Sequence, residues 1–340
     1  MANTSVKKKI SMKEISELTG VSVATVSRVI NNSGRFSEET RELVNSVIKE
    51  HNYVPNAIAR GLRTSVIENV GIIIPDITNE FFAKLTLVIQ SQLFQYGYST
   101  LICNTNEIIE LEQRHLSALE AQNVSGIIYI AGGYNEGEFV RSLAIPTVYV
   151  DRSPIFEYPE ANYVVIESDN EQGGYLAGME LIQAGCKAPI IIKDKRNIAS
   201  QKERLNGYRA ALVESGVPFS KKNILYASAT NYNNAYKVLA KYLDDGGETD
   251  GIFAATDWLA LGAFQCLIER GYLVPEQVKI IGFDDISVAS FGMKPFTTIK
   301  QDVESMGTLA AETLINMIEG GEISEKKNVL PVELIKRKTT

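Results

Sequence analysis

The chain has 340 residues, a formal net charge of −7, and 45% hydrophobic against 22% charged residues. This composition excludes disordered, collagen-like and coiled-coil classes, and at roughly 100–200 residues per domain the length implies two or three domains. Three cysteines and two histidines form no CxxC or His/Cys ligand spacing, so no disulfide framework, no metal and no cofactor is expected. With neither a secretory leader nor an apolar run of 18 residues, a cytoplasmic protein without a membrane partner is expected. Charge is uneven: residues 1–65 hold 10 basic and 6 acidic side chains, net +4, and the remainder nets −11. That split predicts a basic module with an anionic partner, joined to an ordinary acidic body.

In chain order, Ser11 can cap a helix over Met12–Leu18 with Ile15 and Leu18 inward, and Gly20-Val21 makes a tight turn. Ser22 caps a second helix to about Ile30, with Val23, Val26, Val29 and Ile30 as its apolar positions; Asn31–Gly34 reads as a loop. Ser37 caps a third helix, with Glu38 and Glu39 in its first turn and Leu43, Val44, Val47 and Ile48 at helical spacing. From Asn69 the pattern changes. Val70–Ile74 is a β-branched run suited to a strand buried on both faces, followed by an amphipathic helix near Phe81–Tyr96. Further strand candidates are Thr100–Cys103, Gly126–Ile130, Pro146–Val150, Tyr163–Ile166, Pro189–Ile192, Gly251–Ala255 and Lys279–Gly282, with helical segments such as Gln172–Gln183, Gln201–Glu214, Asn234–Leu243 and Leu259–Arg270 between them. Such alternation implies parallel sheets with helices on both faces. About 270 residues exceed one open sheet, so two α/β lobes with a cleft at their strand ends are predicted.

Two short helices joined by a Gly-containing turn are a helix-turn-helix pattern. In the second, Thr25, Ser27 and Arg28 stand beside an apolar stripe, while Val23 and Ala24 can meet a thymine methyl. Hydroxyls on phosphate and an Arg on a guanine edge suit a helix end in the major groove. An ordinary helical bundle with polar faces fits the same pattern. In the body, polar groups stand at strand ends: Asp76, Asn79 and Phe81-Phe82 after the first strand, Asp151-Arg152, Asp284-Asp285 and Gln301-Asp302, with Arg204 near a helix start. Carboxylates and guanidinium groups grip hydroxyls, and aromatic rings cover apolar sugar faces. Taken singly, each Asp also fits a cap or a loop.

The run Val21–Asn31 resembles the recognition segment of the LacI/GalR family of bacterial transcription regulators, and Asn52–Leu62 resembles that family's hinge helix. Val70–Pro75 with Asp76, Asn79, Phe81 and Phe82, then Thr256–Gly262, Ile281–Asp285 and Thr297–Gln301, match further signatures in order across nearly the whole chain. The resemblance implies an all-α helix-turn-helix domain over residues 1–54, a hinge helix and linker over 55–66, and a two-lobed, doubly wound α/β body over 67–340 like periplasmic sugar-binding proteins. It divides the body into an N-lobe of about 67–166 and 298–327 and a C-lobe of about 167–297 and 328–340. It implies DNA contacts by Ser22, Val23, Ala24, Thr25, Ser27, Arg28, Asn31, Tyr53, Asn56, Arg60 and Leu62, Leu62 acting as a wedge in the minor groove. Packing of a linker against the body is the other reading of Leu62. Effector contacts are implied for Asn79, Phe81, Phe82, Asp151, Arg152, Arg204, Asp284 and Gln301, with Tyr232 as an aromatic wall. Thr256 stands where many members have Asn.

The implied partners are a pseudo-palindromic double-stranded DNA operator, a second copy of the chain in a homodimer, and a small-molecule effector. Asp151-Arg152 resembles the hydroxyl-gripping pair of sugar-binding members, which favours a neutral pentose or hexose. A regulator answering to a phosphocarrier protein or sugar phosphate, or to a nucleobase, is the alternative. No GxGxxG, GxxxxGK[ST] or GxSxG motif occurs, so an enzyme is not expected.

Overall fold

The computed structural model describes residues 10–30, 33–51, 53, 69–130, 145–152, 162–196, 198–291 and 294–340. The chain divides into two compact units, Met1–Ile67 and Glu68–Thr340. The predicted hinge, 55–66, lies outside the described residues.

Among the described residues, the first unit holds three helices: α1 (Met12–Thr19), α2 (Val23–Ile30) and α3 (Glu38–Glu50). Ser11 and Glu14 form a capping box at the start of α1, and Gly20, at φ +69°, closes it in the left-handed conformation that a side chain would strain. Ser22 Oγ accepts the Thr25 N–H (3.1 Å), and Ser37 Oγ accepts the Thr40 N–H (3.2 Å); each such cap is worth about 1 kcal/mol. Ile15, Val26, Val29 and Val44 form the core. Leu18, expected inward, is 57% exposed. Ile15 alone is buried in this two-turn helix, and a core this small fills without a second α1 side chain.

The second unit contains two six-stranded sheets of like topology. The first is built from β1 (Asn69–Ile74), β2 (Ser99–Asn104), β3 (Gly126–Tyr129), β4 (Thr147–Val150), β5 (Tyr163–Ser168) and β11 (Lys327–Leu330), in the order β11-β5-β4-β3-β1-β2 and parallel throughout. The second is built from β6 (Ile190–Asp194), β7 (Ile224–Ala227), β8 (Gly251–Ala254), β9 (Lys279–Asp284), β10 (Thr297–Gln301) and β12 (Val332–Ile335), in the order β12-β10-β9-β8-β6-β7. Only β12 runs antiparallel there. The α-helices among the described residues are α4 (Glu80–Gln95), α5 (Ile109–Ala121), α6 (Asn170–Gln183), α7 (Ala199–Glu214), α8 (Tyr232–Asp244), α9 (Asp257–Glu269), α10 (Ser287–Ser290) and α11 (Val303–Ile318). Central strands such as β1, β3, β8 and β9 are buried almost end to end, as strands covered by helices on both faces must be.

The return crossings differ from the sequence expectation. The resemblance places residues from about 298 in the N-lobe, but Thr297–Gln301 pairs with β9 and belongs to the second sheet. The chain re-enters the first lobe only with α11, whose Met306, Ala310, Leu314 and Ile315 join the first lobe's core. Lys327–Leu330 then pairs with β5, so the last crossing falls at Pro331 and not at residue 328. β7, β11 and β12 are edge strands, and β11 and β12 interrupt their apolar residues with polar ones.

One helix contact positions the site. α6 and α7 approach backbone to backbone: a Cβ on Gly174 would stand 2.0 Å from the Arg204 carbonyl oxygen, and one on Gly207 would stand 1.8 Å from that of Glu171. Glycine is required at both places because no side chain can yield. Gly207→Ala is therefore expected to cost about 1–3 kcal/mol, the usual range for overpacking, and to lower the melting temperature by several degrees. Thermal denaturation followed by circular dichroism checks this; an unchanged midpoint contradicts the close approach.

Candidate ligand site and nucleic-acid interface

In the first unit, the outward face of α2 and its cap present Ser22, Val23, Ala24 and Arg28, all exposed, with Thr25 half-buried. Ser22 and Thr25 hydroxyls are paired with each other (2.9 Å). Ser27 is buried beside Val26 and Val29, on the core side of the helix. The aliphatic stem of Arg28 runs along Gly34, where a Cβ would lie 3.4 Å from Cδ, and Gly34 sits at φ +80°. Tyr53 is half-buried and its N–H donates to the Ile48 carbonyl (2.9 Å). Asn31, Asn56, Arg60 and Leu62 lie outside the described residues.

In the second unit a cavity opens where the carboxyl ends of both sheets face each other, the place a doubly wound fold offers for ligands. The first lobe lines it with Asp76, Asn79, Phe81, Phe82, Glu107, Asp151 and Arg152; the second with Ile198, Ser200, Gln201, Arg204, Thr230, Thr256 and Asp284. Each arises from its element. Asp151 follows β4 and Asp284 ends β9, at φ +66° and +112°, sharp left-handed departures that turn side chains off the strand ends. Asn79 caps α4, its Oδ1 accepting the Phe81 N–H (3.1 Å), which leaves the amide N–H2 as a donor. Phe81 and Phe82 meet edge to face at 5.3 Å, and the Arg152 guanidinium lies 5.4 Å from the Phe82 ring centre.

Arg204 is the centre of the site and is 3% exposed. Its Nε donates to Asn170 Oδ1 (2.8 Å) and its Nη1 to the Ala255 carbonyl (2.7 Å), while the guanidinium stacks 3.6 Å from the Phe283 ring centre. So fixed, it stands 3.9 Å from Asp151 of the first lobe and 3.6 Å from Asp284 of the second. Both are longer than direct hydrogen bonds, and Asp151 Oδ1 is buried without a hydrogen-bond partner. Burial raises the Asp151 carboxyl against the pull of Arg204 and Arg152. Burial also pushes Asp284 up to about 7, with Asp151 adding to the rise and Arg204 and the Gln301 amide opposing it. Behind Asp284, burial drives Asp257 well above the usual carboxylate range; it accepts the Thr298 hydroxyl (2.6 Å) and the Ile286 N–H (2.9 Å). Two buried carboxyl groups held short of a guanidinium offer acceptors that hydroxyl groups can satisfy.

Two sequence-derived residues fall elsewhere. Gln301 is not on the cavity wall; its Nε2 donates to Asp284 Oδ1 (2.8 Å) and orients that carboxylate. Tyr232 begins α8 and does not line the cavity; Thr230, two residues earlier, does. Residues that sequence reasoning missed are Glu107, Ser200, Gln201 and Thr230, and the Asp194–Arg196 pair behind them. Gln201 Oε1 accepts the Asp194 N–H (2.7 Å), and Thr230 donates to Asp194 Oδ2 (2.9 Å). Their only signal was position: each stands within a few residues of a strand or helix end. Among the described residues, hydrogen bonds of Glu107 with Arg196 and of Glu80 with the Ser287 N–H and hydroxyl tie the lobes directly. Among the described residues, no cluster of His, Cys, Asp or Glu could hold a metal, and no helix is long and apolar enough to cross a membrane.

Residues 11–56 match the bacterial regulatory proteins of the lacI family, and residues 179–340 match the periplasmic binding protein-like domain. The chain is 32% identical to the ribose operon repressor of Halalkalibacterium halodurans over 329 residues, 97% of this chain and 96% of that one. Among solved structures it is similar to the lac repressor dimer bound to operator and the anti-inducer ONPF, with a TM-score of 0.86 and 25% identity over 98% of this chain and 99% of that one. It is also similar to a LacI family transcriptional regulator from Enterococcus faecium with bound ribose, with a TM-score of 0.70 and 27% identity over 80% and 98% of the two chains.

The Asp284 carboxyl makes a prediction about pH. In the unfolded chain the group loses its proton near its ordinary value of 3.8; in the fold it keeps it to about 7. Between those values the folded state holds the extra proton, so the stability from this group is full below about 4 and is lost as pH rises to about 7. Asp284→Asn cannot lose a proton there. Its melting temperature relative to the unaltered chain should climb between pH 5 and pH 7 and level off above; a difference that stays flat over that range contradicts the assignment.

Proposed function

The chain belongs to the lacI family of bacterial regulatory proteins, and from that premise we propose that it is a DNA-binding transcriptional repressor whose hold on a pseudo-palindromic operator is set by a small neutral polyol, a pentose or hexose, in the cavity between the lobes. It acts in the cytoplasm as a homodimer, as a regulator and not an enzyme.

The observation that carries the neutral ligand is the charge of the cavity. Arg152 and Arg204 face Glu107, Asp151 and Asp284, and Arg196 is matched by Asp194. Carboxylates outnumber guanidinium groups, so an anion gains nothing, while hydroxyls find both acceptors and donors. Phe81 and Phe82 supply the apolar wall that the C–H face of a sugar ring needs. The cavity is about 50 Å³, against roughly 10–15 Å³ for one water. A monosaccharide therefore enters only when the lobes part, and it closes them by completing Asp151 from one side and Arg204 and Asp284 from the other. The relatives named for a ribose operon and crystallised with ribose support this reading.

Ser22, Val23, Ala24, Thr25 and Arg28 are the proposed base- and phosphate-contacting set, which the resemblance extends to Ser27. Ser27, being buried, serves by positioning the helix. Asn31, Tyr53, Asn56, Arg60 and the Leu62 wedge complete the proposed DNA contacts. Operator and effector are coupled by a difference in effector affinity between DNA-competent and DNA-incompetent states, which is reciprocal by linkage.

Titration calorimetry of the full chain against neutral pentoses and hexoses, sugar phosphates and nucleobases tests the effector: heat with a neutral sugar is expected, and none with any neutral sugar overturns the reading. Arg28→Ala should weaken operator binding by about 1–3 kcal/mol and relax preference at one base pair per half-site. Selection from a randomised operator checks it; an unchanged base preference contradicts the role given to Arg28.

A further inference from the structure

Glu107 stands at the mouth of the cavity, where no motif marks it. Its Oε1 accepts from Arg152 Nη2 (3.0 Å) in its own lobe, and its Oε2 accepts from Arg196 Nη1 in the other. Two guanidinium groups thus converge on one carboxylate, the arrangement in which arginines also take a phosphate. Arg196 has a second acid, Asp194, which accepts from its Nε (2.8 Å). For Arg152, Glu107 is the one carboxylate in hydrogen-bond contact among the described residues, and the Arg152 Nε is buried without a partner.

The backbone that presents Glu107 is unusual. Asn106 and Glu107, neither of them glycine, both adopt left-handed conformations, at φ +50° and +57°. Side chains bear that only when the surroundings enforce it. Here they do: the Thr105 N–H donates to the Ile74 carbonyl (2.9 Å), the Glu107 N–H donates to Thr105 Oγ1 (3.2 Å), and the Asn104 amide donates to Asn106 Oδ1 (2.6 Å). The loop is pinned to the end of β1, and the carboxylate is aimed rather than free to swing.

We propose that Glu107 determines ligand specificity by excluding oxyanions, so that the cavity accepts a neutral sugar and rejects the same sugar bearing a phosphate or carboxylate. The inference rests on the neutral-polyol reading and adds the residue that enforces it. With Glu107 in place, Arg152 and Arg196 are both occupied, and their charges are balanced by Glu107 and Asp194. Without it, the mouth carries one uncompensated positive charge and two guanidinium groups facing one vacancy.

The test uses the full chain at low ionic strength, with inorganic phosphate and ribose 5-phosphate as probes, beside the neutral-sugar panel. Glu107→Gln should bind both anions at least tenfold more tightly than the unaltered chain. Glu107→Ala should do the same, and it keeps the test intact if the Gln variant folds poorly. Adding Arg196→Gln to either should return anion binding towards the original level, a reversal that a loosened loop would not give. Anion affinities within twofold of the unaltered chain in both variants overturn the proposal, as does an unaltered chain that prefers ribose 5-phosphate to neutral sugars. The inorganic phosphate arm needs no knowledge of the sugar, so its failure is separate from a failure of the polyol reading, which would show as no heat with any neutral sugar.

Discussion

The body of this protein turns on one buried guanidinium. Arg204 comes from the second lobe, is fixed there by Asn170, the Ala255 carbonyl and the Phe283 ring, and reaches an acid from each lobe without touching either closely. A buried charge left short of its partners is costly, and the cost falls when polar groups fill the gap. Much of the surrounding architecture serves that placement. Gly174 and Gly207 allow α7 to lie against α6 so that Arg204 projects where it does. Gln301 orients Asp284, and Asp257 stands behind it, itself held by Thr298 and the Ile286 N–H.

The two lobes share a strand order and meet at their carboxyl ends, so polar side chains from two sheets end in one cavity. That makes the cavity a place where one ligand can touch both lobes. Glu80 with Ser287 and Glu107 with Arg196 already join the lobes, and a ligand that joins Asp151 to Arg204 and Asp284 adds to the same set of contacts. Such a ligand has different affinities for open and closed bodies, which is the requirement for an effector. In the first unit the net charge is positive although the chain is acidic overall; an acidic body confines attraction for phosphate to the basic module, and binding should fall steeply with salt.

Much of this was legible in the residues. Ser11, Ser22 and Ser37 announced three helices through their caps, Val70–Ile74 announced a strand buried on both faces, and Asp151, Arg204 and Asp284 stood where strand ends and helix starts should line a cleft. What was not legible depended on long-range arrangement. Glu107 meets Arg196 across 89 residues of sequence and Arg152 across 45, and no local spacing encodes either pair. Leu18 lies in a helix of eight residues, too short for periodicity to fix its inner face. Lys327–Leu330 and Val332–Ile335 are short, partly exposed edge strands whose pairing depends on edges that other strands create; hence the last crossing was misplaced. Tyr232, which the resemblance implied as an aromatic wall, stands two residues from Thr230 on the cavity wall, and a motif match does not resolve that distance.

The central claim, that Arg204 is the link through which a ligand joins the lobes, is tested most directly by Arg204→Lys. Lysine keeps the charge but loses the fork that meets Asn170, Ala255 and both acids at once. Operator affinity of the full chain should be measured with and without the neutral sugar that binds the unaltered protein. The account predicts that the variant binds operator as the unaltered chain does when sugar is absent, and that its response to sugar shifts to at least tenfold higher concentration. An undiminished response at the original sugar concentration would contradict it.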